Sequence, residues 1–227
     1  MNNLSKEIVI VGTGETADIA YQYFTYDSNR KVAAFAVEHA FRKEDQINGL
    51  AVVDLEVLTE QFPPDNYDVF VAVSYVQLNR LRKRLFLQVK DFGYKCASYV
   101  SSKAFVWHTV SIGENCMIFE NNVLQHGVCI EDNVILWSGN HIGHQTVIRQ
   151  SAYVASHAVI SGYCEIGTCC FIGVNATLAD NVKVAEDCMI AAGAVVSKST
   201  EINGIYLGNP AIRREGVSAL RYFKVKE

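Results

Sequence analysis

Aliphatic residues recur at every sixth position along the second half of the chain, from Val100 to Ile202 without a break. A short fixed period indicates that one small unit is stacked many times, and that each copy buries its apolar face against the next. A strand in an ordinary half-buried sheet would show period two instead. A period of six is typical of a hexapeptide β-helix, in which three hexads complete one triangular coil.

Two further positions of each hexad fit this architecture. Four residues after each aliphatic comes a mostly small or β-branched residue, which suits a second inward-facing position; four cysteines occupy it, namely Cys116, Cys164, Cys170 and Cys188. Three residues after each aliphatic, the types that best tolerate positive φ are frequent. These predicted corner residues are Asn115, Asn121, Gly127, Asn133, Gly139, Asn175, Asn181, Asp187 and Gly193. The sequence predicts an uninterrupted β-helix over residues 100–204, followed by a closing segment at 205–227.

Strands and helices alternate through the first 99 residues. Apolar runs at 7–11, 32–37, 50–52 and 69–73 predict strands, and the stretches 18–25, 54–61 and around Arg80 predict helices. This alternation is typical of a small Rossmann-like parallel α/β domain, which we assign to residues 1–99.

Composition excludes several classes of protein. The chain has 227 residues, 50% of them hydrophobic, and a net charge of −4. Such a balance gives no general attraction to nucleic acid or to membrane surfaces. The amino-terminal residues do not resemble a signal peptide, and no apolar run is long enough to span a membrane. Seven cysteines without a CxxC motif suit a reducing compartment, so we expect a cytoplasmic protein with no membrane insertion.

A glycine-rich turn follows the first predicted strand. Gly12-x-Gly14-x-x-Ala17 fits a dinucleotide fingerprint, and Glu38 ends the second strand, where an acid would hold a ribose. Glycines let the backbone approach a phosphate, and a helix amino terminus presents free N–H groups to it. A domain of this size lacks the second half of a full NAD domain, so a nucleoside diphosphate is favoured over NAD. A tight turn without a ligand remains the alternative.

Three of the six histidines are separated by one coil. The spacings 126 − 108 = 18 and 144 − 126 = 18 place His108, His126 and His144 along one edge of the prism. Histidines that point in parallel do not converge on a tetrahedral metal, so we predict no metal site. Packing at a subunit contact is favoured for His108 and His126, whereas the small residues around His144 leave room for a ligand.

Several segments of the chain resemble one known family. They are the IGHQTVI segment around His144, the segment CEIGTCCFIGVNATLADNVKV and the closing Tyr206-Leu207-Gly208-Asn209-Pro210-Ala211. Together with the α/β domain and the unbroken hexads, they resemble the sugar acyltransferases of the left-handed β-helix class. That family includes a sialic-acid O-acetyltransferase and a bacillosamine-pathway N-acetyltransferase. The resemblance implies left-handed coils. Flat prism faces with apolar residues also favour a symmetric homotrimer.

The same resemblance implies the roles of particular residues. The family's catalytic base falls on His144, with His141 as the competing candidate, and its acidic neighbour is replaced here by Gln145. Backbone contacts to the co-substrate acetyl-CoA fall on Val174 and Ala192. A further family contact, made by a histidine, falls on Tyr153, so it is not preserved as such. Contacts to the nucleotide-linked sugar fall on the glycine-rich turn and on the ends of two later strands, at Thr13, Gly14, Glu15, Val37, Glu38 and Ser74. The glycine fingerprint adds Gly12 to this set.

The function implied by the resemblance is transfer of acetyl from acetyl-CoA to the amino group of a nucleotide-linked amino-deoxysugar, for cell-surface polysaccharide or glycan synthesis. In this reading a backbone N–H on the next coil stabilises the oxyanion. O-acetylation of a sugar hydroxyl is the nearest alternative. A metal-dependent β-helix enzyme using His126, His141 and His144, and a non-catalytic nucleotide-sensing protein, are further alternatives.

Overall fold

The structure of the protein is a computed structural model that describes residues 6–226. The chain forms two compact units. The first contains the residues through Ser74 together with Arg82–Tyr99, and the second contains Tyr75–Leu81 and the residues from Val100 onward. Residues 1–5, part of the segment for which no signal peptide is expected, lie outside the described residues. Over 6–226, no helix has the length and apolar character needed to cross a membrane.

The first unit is a five-stranded sheet with helices between its strands. In chain order its elements are β1 (Glu7–Val11), α1 (Glu15–Tyr26), β2 (Val32–Val37), β3 (Gln46–Ile47), β4 (Leu50–Asp54), α2 (Leu58–Gln61), β5 (Tyr67–Val71) and α3 (Arg80–Asp91). Short 3₁₀ turns occupy His39–Phe41 and Leu55–Val57. The predicted helix at 54–61 is therefore a 3₁₀ turn followed by a four-residue α-helix, and the other predicted elements are confirmed with small shifts of their ends.

The strand order in this sheet is β3-β4-β2-β1-β5, and all pairs are parallel except β3 with β4. Residues from Ile8 to Val11 are buried, as a central parallel strand covered on both faces requires. Phe24 of α1 packs edge-to-face on Phe70 of β5, with ring centroids 5.2 Å apart. The chain proceeds from β1 to β2 on one side and later returns to place β5 on the other side. The carboxyl ends of β1 and β5 therefore flank the switch point at which α/β sheets bind ligands.

The second unit is a left-handed parallel β-helix made of two-residue strands. Each strand pairs with the strand one coil later, as Val123 does with His141, a step of 141 − 123 = 18 residues. The strands lie on three faces. Face 1 contains β9 (Met117–Ile118), β12 (Ile135–Leu136), β15 (Tyr153–Val154), β18 (Phe171–Ile172), β21 (Met189–Ile190), β23 (Ile205–Leu207) and β24 (Ile212–Arg213).

The other two faces follow in the same register. Face 2 contains β7 (Phe105–Val106), β10 (Val123–Leu124), β13 (His141–Ile142), β16 (Val159–Ile160), β19 (Thr177–Leu178) and β22 (Val195–Val196). Face 3 contains β8 (Ser111–Ile112), β11 (Cys129–Ile130), β14 (Val147–Ile148), β17 (Glu165–Ile166) and β20 (Lys183–Val184). The face 1 sheet ends with β6 (Tyr99–Val100), of which Val100 belongs to this unit, and α4 (Ala219–Tyr222) lies near the end of the chain. The predicted fold class is confirmed.

The interior and the corners follow the hexad pattern. The four inward cysteines are buried in one continuous apolar core with the aliphatics of successive coils. Every predicted corner residue has positive φ. Five further corner residues that the residue types did not predict also have positive φ, namely Gln145, Ser151, His157, Tyr163 and Cys169. Stacking therefore imposes the corner conformation even where the residue type disfavours it.

The ends of the aliphatic run leave the core, which corrects the prediction. Val100 is 37% exposed, and Ile202 is 61% exposed in a stretch with no strand. A terminal coil has a neighbour on one side only, so its hexads cannot be covered in the same way as those between β7 and β22.

The outer sides of the three faces differ in character. On face 1, Tyr153 and Phe171 stack on each other and pack edge-to-face against Tyr75, and Phe223 lies against Phe171. Face 3 is polar, and Arg149 at its edge bridges two acidic side chains, at 2.7 Å to Glu131 and 2.6 Å to Glu165. Face 2 presents mostly apolar side chains outward: Phe105, Val123, His141, Val159, Thr177 and Val195. Phe105 and Val159 are 52% and 41% exposed there.

Candidate active site

His144 lies on the edge between faces 2 and 3, with an exposed side chain. Its imidazole lies directly against Gly162, the residue one coil later. A Cβ at position 162 would come within 2.5 Å of His144 Cε1. Only glycine therefore leaves space for the ring in this position.

Two other residues restrain His144. The phenol ring of Tyr163 packs edge-to-face with the imidazole, with ring centroids 5.0 Å apart and planes at 82°. The backbone N–H of His144 donates to Gln125 Oε1 at 3.0 Å. Gln145, which replaces the acid implied by the family, directs its side-chain amide to Gly127 on the preceding coil, where a Cβ would lie 2.4 Å from Nε2. The sequence did not identify Gln125, Gly162 or Tyr163, because each meets His144 only through stacking.

The other histidines occupy different environments. His141 lies on face 2, half-buried, in register with Val123 and Val159 rather than on the edge. His126 shares the edge with His144, and its Nδ1 lies 2.8 Å from Thr109 Oγ1. Over residues 6–226, no group of three or more His, Cys, Asp or Glu side chains is arranged to hold a metal ion.

The backbone N–H groups beside His144 on the next coil are engaged. Ser161 donates to Leu178 O at 3.1 Å, and Tyr163 donates to His144 O at 2.9 Å. Gly162 donates to Asp180 Oδ1 at 2.9 Å. An N–H group on this corner could stabilise an oxyanion only after it gives up its present acceptor. The acceptor of the Gly162 N–H is a side chain, whereas those of Ser161 and Tyr163 are backbone carbonyls of adjacent coils.

Val174 and Ala192 lie on a different edge, between faces 1 and 2, on successive coils. Both are exposed, and the Gly193 N–H donates to Val174 O at 2.8 Å. Within the described residues the N–H groups of Val174 and Ala192 have no hydrogen-bond partner. N–H groups without a protein partner on two consecutive coils can donate to the oxygens of an extended polar ligand, which fits contacts made through the backbone.

Tyr153 lies in a different environment from Val174 and Ala192. Its side chain is 6% exposed and is held between Phe171 and Tyr75, with centroid distances of 5.4 Å and 5.1 Å. The structure thus brings Val174 and Ala192 to one edge and leaves Tyr153 in an aromatic cluster on face 1.

In the α/β unit the glycine-rich turn lies at the carboxyl end of β1. Gly12 has φ +129°, and a Cβ there would lie 2.7 Å from the Ala72 carbonyl oxygen, so this position requires glycine. Gly14 is the N-cap of α1 in extended conformation, with no atom within 4 Å of the position of a Cβ. Thr13 lines a small cavity of about 60 Å³ with Lys43, Glu44 and Ile47. Lys43 and Glu44, which the sequence did not single out, place a cation and an anion beside the turn.

The remaining predicted nucleotide contacts reach the same end of the sheet. Glu15 starts α1 and is exposed, while Val37 ends β2 and Ser74 follows β5, both half-buried. Glu38 accepts a two-pronged ion pair from Arg84, with Nη1–Oε1 at 3.0 Å and Nη2–Oε2 at 2.8 Å. This carboxylate raises the pKa of Arg84. A ribose hydroxyl that donates to the Glu38 carboxylate would share this acceptor with Arg84.

The repeats match a known family model. The model described as bacterial transferase hexapeptide (six repeats) matches residues 109–144 and 163–198. None of the curated proteins matches the chain in sequence.

Solved structures share the whole architecture. The acetyltransferase domain of PglB from Neisseria gonorrhoeae FA1090 is 22% identical, with 92% of this chain and 100% of that chain covered and a TM-score of 0.81. PerB from Caulobacter crescentus, solved with CoA and GDP-perosamine, is 22% identical over 92% and 97% of the two chains, with a TM-score of 0.82. WeeI from Acinetobacter baumannii AYE is 20% identical over 92% and 100%, with a TM-score of 0.58. The resemblance predicted from the sequence is confirmed for the hexapeptide repeat and the fold.

Proposed function

We propose that the protein transfers acetyl from acetyl-CoA to the amino group of a nucleotide-linked amino-deoxysugar. The observation that carries this proposal is the exposed imidazole of His144, held against Gly162 on the edge of a hexapeptide β-helix. Support comes from structures of the same fold that are described as an acetyltransferase domain and as a perosamine N-acetyltransferase.

In this mechanism His144 acts as the general base. A neutral imidazole carries a nitrogen lone pair that can accept a proton as the sugar amine attacks the thioester carbonyl. The new bond joins the amine nitrogen to the acetyl carbon, the carbon–sulfur bond breaks, and the proton on His144 returns to the CoA thiolate. No covalent bond to the protein is needed, because holding both reactants together supplies much of the acceleration.

We assign acetyl-CoA to the edge between faces 1 and 2. The open N–H groups of Val174 and Ala192 support this assignment, since they can donate to carbonyl oxygens of an extended pantetheine arm. In one chain this edge and His144 lie at opposite sides of face 2. A complete site therefore requires edges from two copies of the chain.

A homotrimer meets this requirement. Face 2 is apolar and exposed, as Phe105 and Val159 illustrate, so it is the face suited to association. If three copies turn face 2 toward a common axis, the Val174–Ala192 edge of each copy meets the His144 edge of the next. His141, on face 2, would then lie at the contact between copies and not in the site.

For the α/β unit we propose binding of the nucleotide. The required glycine at position 12, the open α1 amino terminus at Gly14 and the nearby Lys43 together suit a diphosphate. Within residues 6–226 the seven cysteines form no disulfide, which fits a reducing compartment. We therefore place the reaction in the cytoplasm, as a step of cell-surface glycan synthesis.

The experiment is an assay of thiol release from acetyl-CoA with a panel of UDP-, dTDP- and GDP-linked amino sugars. Matched sugar nucleotides that carry only hydroxyl groups serve as controls. Release with an amino sugar, and not with its hydroxyl counterpart, supports the proposal. Equal release with the hydroxyl sugars would favour O-acetylation, and no release with any member would contradict acetyl transfer to a nucleotide sugar.

A further inference from the structure

Tyr163 occupies a position where neither packing nor backbone conformation favours tyrosine. Its φ is +56°, which is costly for a bulky residue with a Cβ. Its side chain is 57% exposed, so it does not fill the core. One coil later the same corner position is Asn181, with φ +63° and a residue type that adopts this conformation readily.

Among residues 6–226, the aromatic ring that packs against Tyr163 is the imidazole of His144. The two rings meet edge-to-face at 5.0 Å between centroids. Conformational cost at an exposed residue is common where function requires that residue. The neighbour of the base, Gln145, directs its amide to Gly127 instead.

We propose that Tyr163 is a positioning residue for His144, and that the edge of its ring fixes the imidazole in the orientation that accepts the substrate proton. Gly162 and Tyr163, both on the following coil, pack against two sides of the imidazole. Orientation thus comes from the following coil, by ring packing, and not from a carboxylate beside the base in sequence. This inference rests on the proposed acetyl transfer.

The test compares Tyr163→Asn with Tyr163→Phe. Asparagine is the residue of the next coil at this corner, so Tyr163→Asn should keep or raise the melting temperature while lowering kcat by roughly 10- to 100-fold through a misplaced base. KM for acetyl-CoA should change less than twofold. Tyr163→Phe keeps the ring edge and should restore most of the lost rate. Tyr26→Asn, a change at another exposed tyrosine, serves as the control.

Three outcomes would overturn the inference. Full kcat in Tyr163→Asn would exclude a role for the ring. An equally low kcat in Tyr163→Phe and Tyr163→Asn would assign the effect to the hydroxyl. A lower melting temperature in Tyr163→Asn, together with a lower kcat and weaker binding of acetyl-CoA, would indicate a structural role.

A readout independent of activity separates this inference from the proposed function. In protein with isotopically labelled histidine, the His144 ring protons, identified by their loss in His144→Ala, should show a ring-current shift from Tyr163. The shift should vanish in Tyr163→Asn and persist in Tyr163→Phe. If it does so while no sugar nucleotide is acetylated, the ring packing stands and the proposed reaction fails. If the shift is absent from the unsubstituted protein, the positioning role fails whatever the activity.

Discussion

The imidazole of His144 and the phenol ring of Tyr163 meet edge-to-face at 5.0 Å, although 19 positions separate them in the chain (163 − 144 = 19). The contact exists because each coil advances by 18 residues, so that Gly162 stacks on His144 and Tyr163 on Gln145. In a β-helix, the residues that shape an edge site come from adjacent coils more than from adjacent positions. The predictions below test the site built in this way.

His144→Ala should lower kcat by roughly 100- to 10,000-fold, the usual contribution of a general base. KM for acetyl-CoA should change little, since its proposed contacts lie on another edge. His141→Ala is the matched control, because His141 lies three residues earlier on face 2 and away from the edge. Steady-state kinetics of both variants decide which histidine is the base. An inactive His141→Ala together with an active His144→Ala would assign the base to His141.

Two glycines of the same turn should respond differently to substitution. Gly12→Ala should reduce the free energy of unfolding by about 3 kcal/mol, because the new Cβ meets the Ala72 carbonyl at a backbone conformation that L residues avoid. Gly14→Val should cost about 1 kcal/mol through the α1 N-cap, yet weaken sugar-nucleotide binding roughly tenfold or more by obstructing a phosphate. Chemical denaturation and titration calorimetry measure the two effects. Tight binding of NADH with no binding of sugar nucleotides would show that the turn holds a dinucleotide.

The assembly should be a trimer held by face 2. Sedimentation equilibrium should give a mass about three times the 25.2 kDa of the chain. Val159→Glu puts a charge on the exposed apolar face and should dissociate the trimer and abolish activity. The same change at an exposed position of the polar face 3, Lys183→Glu, should leave the mass unchanged. A stable monomer with full activity would contradict a site shared between copies.

Mixed trimers should regain activity that neither parent has. His144→Ala removes the base from one edge, and Ala192→Trp obstructs the other. In a trimer that contains both variants, one of three sites combines two intact edges. Since three quarters of randomly mixed trimers contain both, an equal mixture should recover about a quarter of the original rate. The measurement is thiol release after the two variants are denatured and refolded together. If the refolded protein has the mass of a trimer but no activity, each site lies within one chain.

Stability should fall at alkaline pH through Tyr94. Its buried hydroxyl donates to Phe62 O at 2.5 Å, and burial raises its pKa from 10.0 to about 12. Between these values the unfolded chain releases the phenol proton and the folded chain keeps it, so the free energy of unfolding falls as pH rises from 10 to 12. Tyr94→Phe should flatten this part of the pH profile, at the cost of one hydrogen bond at neutral pH. Urea unfolding at several pH values checks it, and an unchanged slope would exclude Tyr94 as the cause.

Local patterns determined the elements and most of the corners. The six-residue period fixed the β-helix, because a two-residue strand and a four-residue corner repeat only in that architecture. The alternation of apolar runs with helical stretches likewise predicted the α/β unit, and Gly12 proved to be a position that only glycine fits. The aliphatic period continues to Ile202, but this residue lies outside the core. Burial requires a neighbouring coil on both sides, which the period in the sequence does not guarantee.

Tertiary structure alone decided what surrounds the candidate base and which edges carry which groups. From the sequence, Tyr163 is one aromatic residue at a corner, and its contact with His144 arises only when coils stack. The burial of Tyr153 in an aromatic cluster, the ion pair of Glu38 with Arg84, and the open N–H groups of Val174 and Ala192 likewise depend on residues distant in the chain. Periodic burial is encoded in the local sequence and can be predicted from it. Hydrogen bonds and ring contacts between coils depend on the register of the coils, which only the folded chain provides.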